Sequence, residues 1–155
     1  MRPLRPEDEP MQHDLAAHMN PQDLRLRFFT PMHGLTHTVA ARLSQLDYDR
    51  ELALVAELDR RALGVAHFFA DPDKLRAEYA IAVRSDWKGR GLGYLLMTRL
   101  INIARRRGIG ELVGEVLREN EPMLQMCREL GFAVSSDLAD PGVMLVRKKL
   151  AENVL

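Results

Sequence analysis

Along this chain the spacing of apolar positions changes several times, and each change marks an element. Positions 51–58 (ELALVAEL) and 63–70 (LGVAHFFA) are short apolar runs bounded by charge, the signature of strands. Asp59-Arg60-Arg61-Ala62 between them reads as a hairpin connection. Asp71-Pro72-Asp73-Lys74 then breaks the pattern, and 77–83 (AEYAIAV) resumes it as a third strand. From 91 to 107 the period becomes helical: Leu92, Leu96, Leu100 and Ile103 recur at intervals of three and four, and Gly108 closes the segment. A strand over 111–117, a helix over 120–130 ending at Gly131, and a last strand over 143–150 complete this half.

The N-terminal portion is more punctuated. RPLRPEDEP suits a short edge strand ending at prolines, with a helix following over 7–19. Asn20-Pro21 is a restart, with Asn20 as N-cap and Pro21 at the first helical position. That helix, QDLRLRFF, stops near Thr30-Pro31, and MHGLTH leads to a third short helix, TVAARLSQL. The order is β, helices, βββ, α, β, α, β. It predicts an α/β (α+β) domain with a mixed sheet, since a doubly wound nucleotide fold does not carry three successive strands. There is no internal repeat and no low-complexity tract.

Composition narrows the function without naming it. The chain of 155 residues is one domain's worth, 46% hydrophobic and 28% charged. Its 22 basic residues balance 22 acidic ones, so no global field draws nucleic acid or an anionic membrane. Cys127 is the single cysteine, which excludes an internal disulfide and argues against a cysteine-based zinc site. The five histidines (13, 18, 33, 37, 67) lack metal-site spacing, so no metal is expected. Nothing approaches a membrane-spanning run or an apolar signal core, and a cytoplasmic, soluble protein is the expectation.

The chemistry concentrates between the third strand and the long helix, at VRSDWKGRGLG (83–93). Gly89, Gly91 and Gly93 leave the backbone open there. Its N–H groups can approach an anion, and the new helix adds the positive end of its dipole. Lys88 and Arg90 can bring charge to the same place. The physics points to a phosphate, most naturally a pyrophosphate; the plainer alternative is a glycine-rich turn with two solvated cations. GxxxxGK[ST] is absent, and the glycine spacing does not fit GxGxxG.

Lys88-Gly89-Arg90-Gly91-Leu92-Gly93 resembles the Q/R-x-x-G-x-G/A motif of the GNAT acyl-CoA-dependent N-acetyltransferases, with Lys in place of the first Gln or Arg. Asn120 through Gly131-Phe132 resembles that family's later helix, N-x-x-A-x-x-L-Y-x-x-x-G-F. RPEDEP, DLRLRFF, AEYAIAVRSDWKGRGLGYLLM and GEVLRENEPMLQMCRELGF are most similar to the acetyltransferase domain of bacterial Pat-type protein lysine acetyltransferases. The resemblance covers about 2–150 and implies a single GNAT domain. Its mixed sheet of six to seven strands would splay at the fourth and fifth. In Pat-type enzymes the domain is usually fused to a large acyl-CoA synthetase-like region of the ADP-forming type.

The same resemblance implies acetyl-CoA as cosubstrate, with its pyrophosphate on the 88–94 segment, which ends at Tyr94. Its pantetheine arm would lie on the backbone of Ala82 and Val83, and Asn120 would sit near it. Asn120 is equally an N-cap. Acetyl transfer to an amine needs a base, because the ammonium must lose a proton before attack. Glu78 opens the third strand and shares a face with the small residues Ala80 and Ala82, leaving room for a substrate. Protein-acetylating members carry their base near this place; the plainer reading is a solvated glutamate paired with Arg76 or Arg84. At Cys127 many GNAT enzymes have a tyrosine that protonates the leaving thiolate. Cys127 is then a packing residue, with water as the proton source, or a thiol donor. Phe28, Phe29, Met32 and Gly34 are either core or acceptor wall, and Trp87 is a lid or a surface anchor.

The leading expectation is a protein Nε-lysine acetyltransferase by direct transfer. Its target, implied by the resemblance, is the catalytic lysine of an AMP-forming acyl-CoA synthetase, with no nucleic-acid or membrane partner and a monomer or weak dimer as the unit. The alternatives are a GNAT enzyme acting on a small amine, such as an amino acid or polyamine, and a non-catalytic CoA-sensing domain.

Overall fold

The computed structural model describes residues 1–23 and 51–150. Strand β1 (Arg2–Pro3) is followed by a 3-10 turn (Pro6–Asp8) and helix α1 (Glu9–Ala17). Strands β2 (Glu51–Leu58), β3 (Arg61–Ala70) and β4 (Arg76–Val83) come next, then a 3-10 turn (Ser85–Trp87) and helix α2 (Leu92–Arg106). Strand β5 (Glu111–Leu117), helix α3 (Glu121–Glu129) and strands β6 (Ala133–Ser136) and β7 (Val143–Lys149) complete the order. The expected helices over 22–29 and 38–46 lie outside the described residues, apart from a first helical turn at 21–23. The restart at Asn20 holds: its side-chain oxygen accepts from the Asp23 N–H at 2.8 Å, as an N-cap does.

Among the described residues the sheet has seven strands, in the order β1-β2-β3-β4-β5-β7-β6. Every neighbouring pair is antiparallel except β4 and β5, which run parallel. The hairpin between β2 and β3 is tighter than the sequence suggested. Leu58 pairs with Arg61, and Asp59 and Arg60 both adopt positive φ (54° and 66°). This is the two-residue turn whose twist matches that of the strands, so Arg61 and Ala62 join β3. Strand β6 carried no such signal. Its four residues are mostly exposed and it lies at the sheet edge, so it has no buried face to leave an alternation.

Two cores lie on opposite faces. Alternate residues of β2, β3 and β4 (Leu54, Phe68, Ile81) pack with the α2 stripe of Leu96, Leu100 and Ile101. The other face of β2 and β3 (Val55, Val65) packs with Leu15 and Ala16 of α1. Helix α2 sits tightly on β3, because a Cβ at Gly64 would meet Leu96 Cδ1 at 2.9 Å and the Ala82 carbonyl oxygen at 3.0 Å. That close seat aims the N-terminus of α2 at the end of β4, where the site forms.

Candidate active site

Strands β4 and β5 are paired over only three positions, Arg76↔Glu111, Ala77↔Leu112 and Glu78↔Val113. Beyond Glu78 they part, while β4 stays registered on β3 as far as Val83↔Gly64. The splay expected at the fourth and fifth strands is therefore present, and it opens a cleft of about 620 Å³.

The wall of the gap follows from ladder phase. The Arg84 N–H donates to the Leu63 carbonyl at 2.9 Å, and the Asp71 N–H donates to the Arg76 carbonyl at 2.9 Å. In an antiparallel ladder such bonded positions alternate, so even-numbered β4 residues direct their main-chain groups to β3. Tyr79, Ile81 and Val83 turn theirs into the gap. Val83 thus turns its backbone groups into the gap. Ala82 does not: its main chain belongs to the β3 ladder, and it contributes a small side chain to the cleft.

At the end of β4 the loop bends through Gly89 and Gly91, with φ of +79° and +82°. Gly91 is the N-cap of α2 in the left-handed conformation, and nothing lies within 4 Å of a Cβ built there. The first-turn N–H groups of α2 have no partner within the helix and point at the loop. Such N–H groups at a helix start are of the kind that attract anions. Gly89, Gly91, Gly93 and Tyr94 line the cleft, and Tyr94 is well exposed.

The two cations of the motif are held away from the cradle. Lys88 Nζ lies 2.6 Å from an Asp23 carboxylate oxygen, and Asp23 is nearly buried. The Ser85 hydroxyl donates to the other Asp23 oxygen and accepts from the Asn20 N–H. Arg90 lies over the Trp87 ring, 4.7 Å from its centroid. Of the residues singled out from the sequence, Arg90 and Leu92 are not in the cleft lining; Leu92 packs against the core. The others line it.

Glu78 sits at the fork where β4 and β5 separate, and it is exposed. Among the described residues it has no hydrogen-bond or ion-pair partner. The cations proposed to neutralise it are engaged elsewhere, Arg76 with Glu111 at 3.2 Å and Arg84 with Asp86 at 2.8 Å. Its neighbours on that face are Phe69 of β3 and Val113 of β5. Asn120 caps α3 through its side-chain oxygen, which accepts from the Met123 N–H at 3.4 Å, and it lines the cleft as well. Cys127 is fully buried and lies 3.3 Å from the Tyr79 hydroxyl. Burial pushes the Cys127 thiol up, and it pushes the Tyr79 phenol further still, so both stay protonated.

Three acidic cleft residues escaped the sequence reading: Asp23, Glu115 and Glu119. Glu115 alternates with Glu111 and Val113 on β5, a face that reads as solvated. Only the parallel register with β4 turns that face toward Glu78.

A mixed sheet splayed at its centre, with a glycine-rich turn leading into the following helix, frames the site. The acetyltransferase (GNAT) family model matches residues 21–132, and the chain belongs to that family. It is an N-acetyltransferase with acetyl-CoA as donor. It is similar to Acetyltransferase PA5475 of Pseudomonas aeruginosa, 27% identical over 97% of this chain and 83% of that protein. It is 29% identical to the L-methionine sulfoximine/L-methionine sulfone acetyltransferase of Salmonella typhimurium, over 74% of this chain and 77% of that one. In fold it matches the GNAT domain of S. lividans PAT with a TM-score of 0.89, at 22% identity, over 96% of this chain and 88% of that one.

Proposed function

We propose that the amine acetylated by this enzyme is a lysine side chain presented by a protein, and that transfer is direct, with Glu78 as general base. The observation that carries this reading is Glu78 itself: exposed, without a partner among the described residues, at the fork of the splayed strands. An ionised carboxylate in that state is ready to accept a proton from an incoming ammonium. The neutral nitrogen then attacks the thioester carbonyl, the C–S bond breaks, and the proton that the nitrogen sheds passes through water to the leaving thiolate. Cys127 has no part in this, being buried beneath Tyr79 and outside the cleft lining.

On the donor side, the first turn of α2 and the backbone at Gly89 and Gly91 would hold the pyrophosphate. The main chain of Val83 and Ile81 would pair with the pantetheine amides. Resemblance to Pat-type enzymes supports the catalytic lysine of an AMP-forming acyl-CoA synthetase as target, where acetylation removes a charge. A second reading, a small amino-acid amine, is favoured by the relative named for L-methionine sulfoximine and sulfone.

The test is incubation with acetyl-CoA and an AMP-forming acetyl-CoA synthetase, followed by mapping of acetyl-lysines by mass spectrometry. One lysine modified by the wild type and about 100-fold more slowly by Glu78→Gln, with acetyl-CoA affinity unchanged, is the expected result. No modified lysine, with acetyl-CoA still bound, moves the acceptor to a small amine. A Glu78→Gln enzyme of full activity removes the base.

A further inference from the structure

The acceptor side of the cleft holds a second carboxylate in the same condition as the first. Glu78 pairs in register with Val113, so Glu115, two residues on along β5, projects from the same sheet face. It lies past the point where the strands stop pairing, on the wall opposite Ala80 and Ala82. Glu115 is exposed, lines the same cleft, and has no hydrogen-bond or ion-pair partner among the described residues.

The rest of the lining does not balance this charge. Among the described residues the only cationic side chain there is Lys88, and its ammonium is taken by Asp23 at 2.6 Å. Glu119 adds a further acid near the cleft. The small side chains of Ala80 and Ala82 leave the space between the two carboxylates open.

From this we infer that Glu115 is the specificity-determining residue for the acceptor. It selects a cationic amine that bears no carboxylate beside it. This rests on the reading of Glu78 as base and refines which amine reaches it. An approaching ammonium donates hydrogen bonds to Glu115 and Glu78 together. One proton passes to Glu78, at the fork. Glu115 stays ionised and keeps the remaining N–H groups oriented. A zwitterionic α-amino acid brings its own carboxylate into this acidic gap, where no described side chain is free to receive it, and like charges repel. A lysine side chain, with its charge four methylenes from the backbone, brings only the cation.

The experiment compares Nα-acetyl-lysine N-methylamide with L-methionine sulfone as acceptors, following CoA release for the wild type, Glu115→Gln and Glu78→Gln. Binding of acetyl-CoA to each variant checks that it is folded. The wild type is expected to favour the lysine amide by about tenfold or more in kcat/KM. Glu115→Gln is expected to raise KM for the lysine amide about tenfold with kcat within about threefold, and to leave methionine sulfone no worse. Glu78→Gln acts on kcat instead. A wild type that prefers methionine sulfone overturns the inference, as does a Glu115→Gln loss that falls on kcat, or no turnover of either acceptor. If Glu78→Gln keeps its kcat while the Glu115 effect on KM stands, the base assignment fails alone.

Discussion

A single hydrogen atom decides the residue at 114. The ring of Tyr79 lies across β5 so closely that a Cβ built on Gly114 would stand 2.3 Å from Tyr79 Cε1. No rotamer adjustment of a few tenths of an ångström absorbs that overlap. Replacing Gly114 by Ala should therefore cost about 1–3 kcal/mol, read as a lower denaturant midpoint with unchanged slope. Adding Tyr79→Leu removes the ring and should recover part of that loss relative to Tyr79→Leu alone; additive losses would mean the clash is relieved elsewhere. The same ring explains Cys127. The thiol fills the space beneath the Tyr79 hydroxyl, 3.3 Å away, at the position where the family pattern has a tyrosine. Cys127→Ala is accordingly expected to lower stability by about 1 kcal/mol and leave kcat unaltered, measured by denaturation and by initial rates. A drop in kcat with stability intact would return the thiol to the chemistry.

At the scale of elements, the loop between β4 and α2 is held from both sides. Its N-terminal half is tied to the turn at 21–23 by Lys88, Ser85 and Asn20, all meeting around Asp23. Its C-terminal half depends on Gly91, whose φ of +82° costs a residue with a Cβ about 1–2 kcal/mol. Gly91→Ala should weaken acetyl-CoA binding by about 5- to 30-fold in calorimetry, because the strain is relieved only by abandoning the cradle. Unchanged affinity would separate the loop from the pyrophosphate.

The turn of this element was legible in the sequence because closely spaced glycines mark a backbone that takes positive φ, as Gly89 and Gly91 do. So were the three-strand run, the long helix and Asn120, each carrying a local periodicity or cap. What the sequence withheld is non-local. The role of Lys88 depends on Asp23, far away in the chain, and that of Glu115 on a parallel register that no local pattern encodes. The direction of the Ala82 main chain was out of reach for the same reason, since ladder phase is set by β3. The place of Glu78 on the face of Ala80 and Ala82 was legible, yet its want of a partner among the described residues depends on where Arg76 and Arg84 turn.

Over the whole molecule, the cleft exists because β5 pairs with β4 for three positions and with β7 for seven, so the sheet is pulled open at its centre. The half carrying β2–β4 must then be held by its own face, and α1 does this with a small core closed by a charged clasp. Arg2 reaches both Asp8, at 2.9 and 3.0 Å, and Glu57, while the Arg5 N–H donates to Asp8 at 2.7 Å. The hydrogen bonds from Arg2 hold the Asp8 carboxyl below its ordinary range, and Arg2 is raised in return. Asp14 is lowered likewise by Arg61, and Asp86 by Arg84. A carboxylate with a depressed folded-state pKa stabilises the fold above its unfolded value, near 3.9, and loses that contribution as pH falls through the folded value. Stability should therefore hold from neutrality down to about pH 4 and decline below it. Asp8→Asn keeps an oxygen for the Arg5 N–H but removes the charge that Arg2 holds. Its cost at pH 7 should be about 2 kcal/mol, since Asp8 is nearly buried and Arg2 only partly exposed. The difference from wild type should shrink on acidification, because protonation removes the same charge from the native clasp. Urea melts of both proteins at intervals between pH 7 and pH 2 measure it, and curves that stay parallel throughout would assign the clasp's contribution to packing instead of charge.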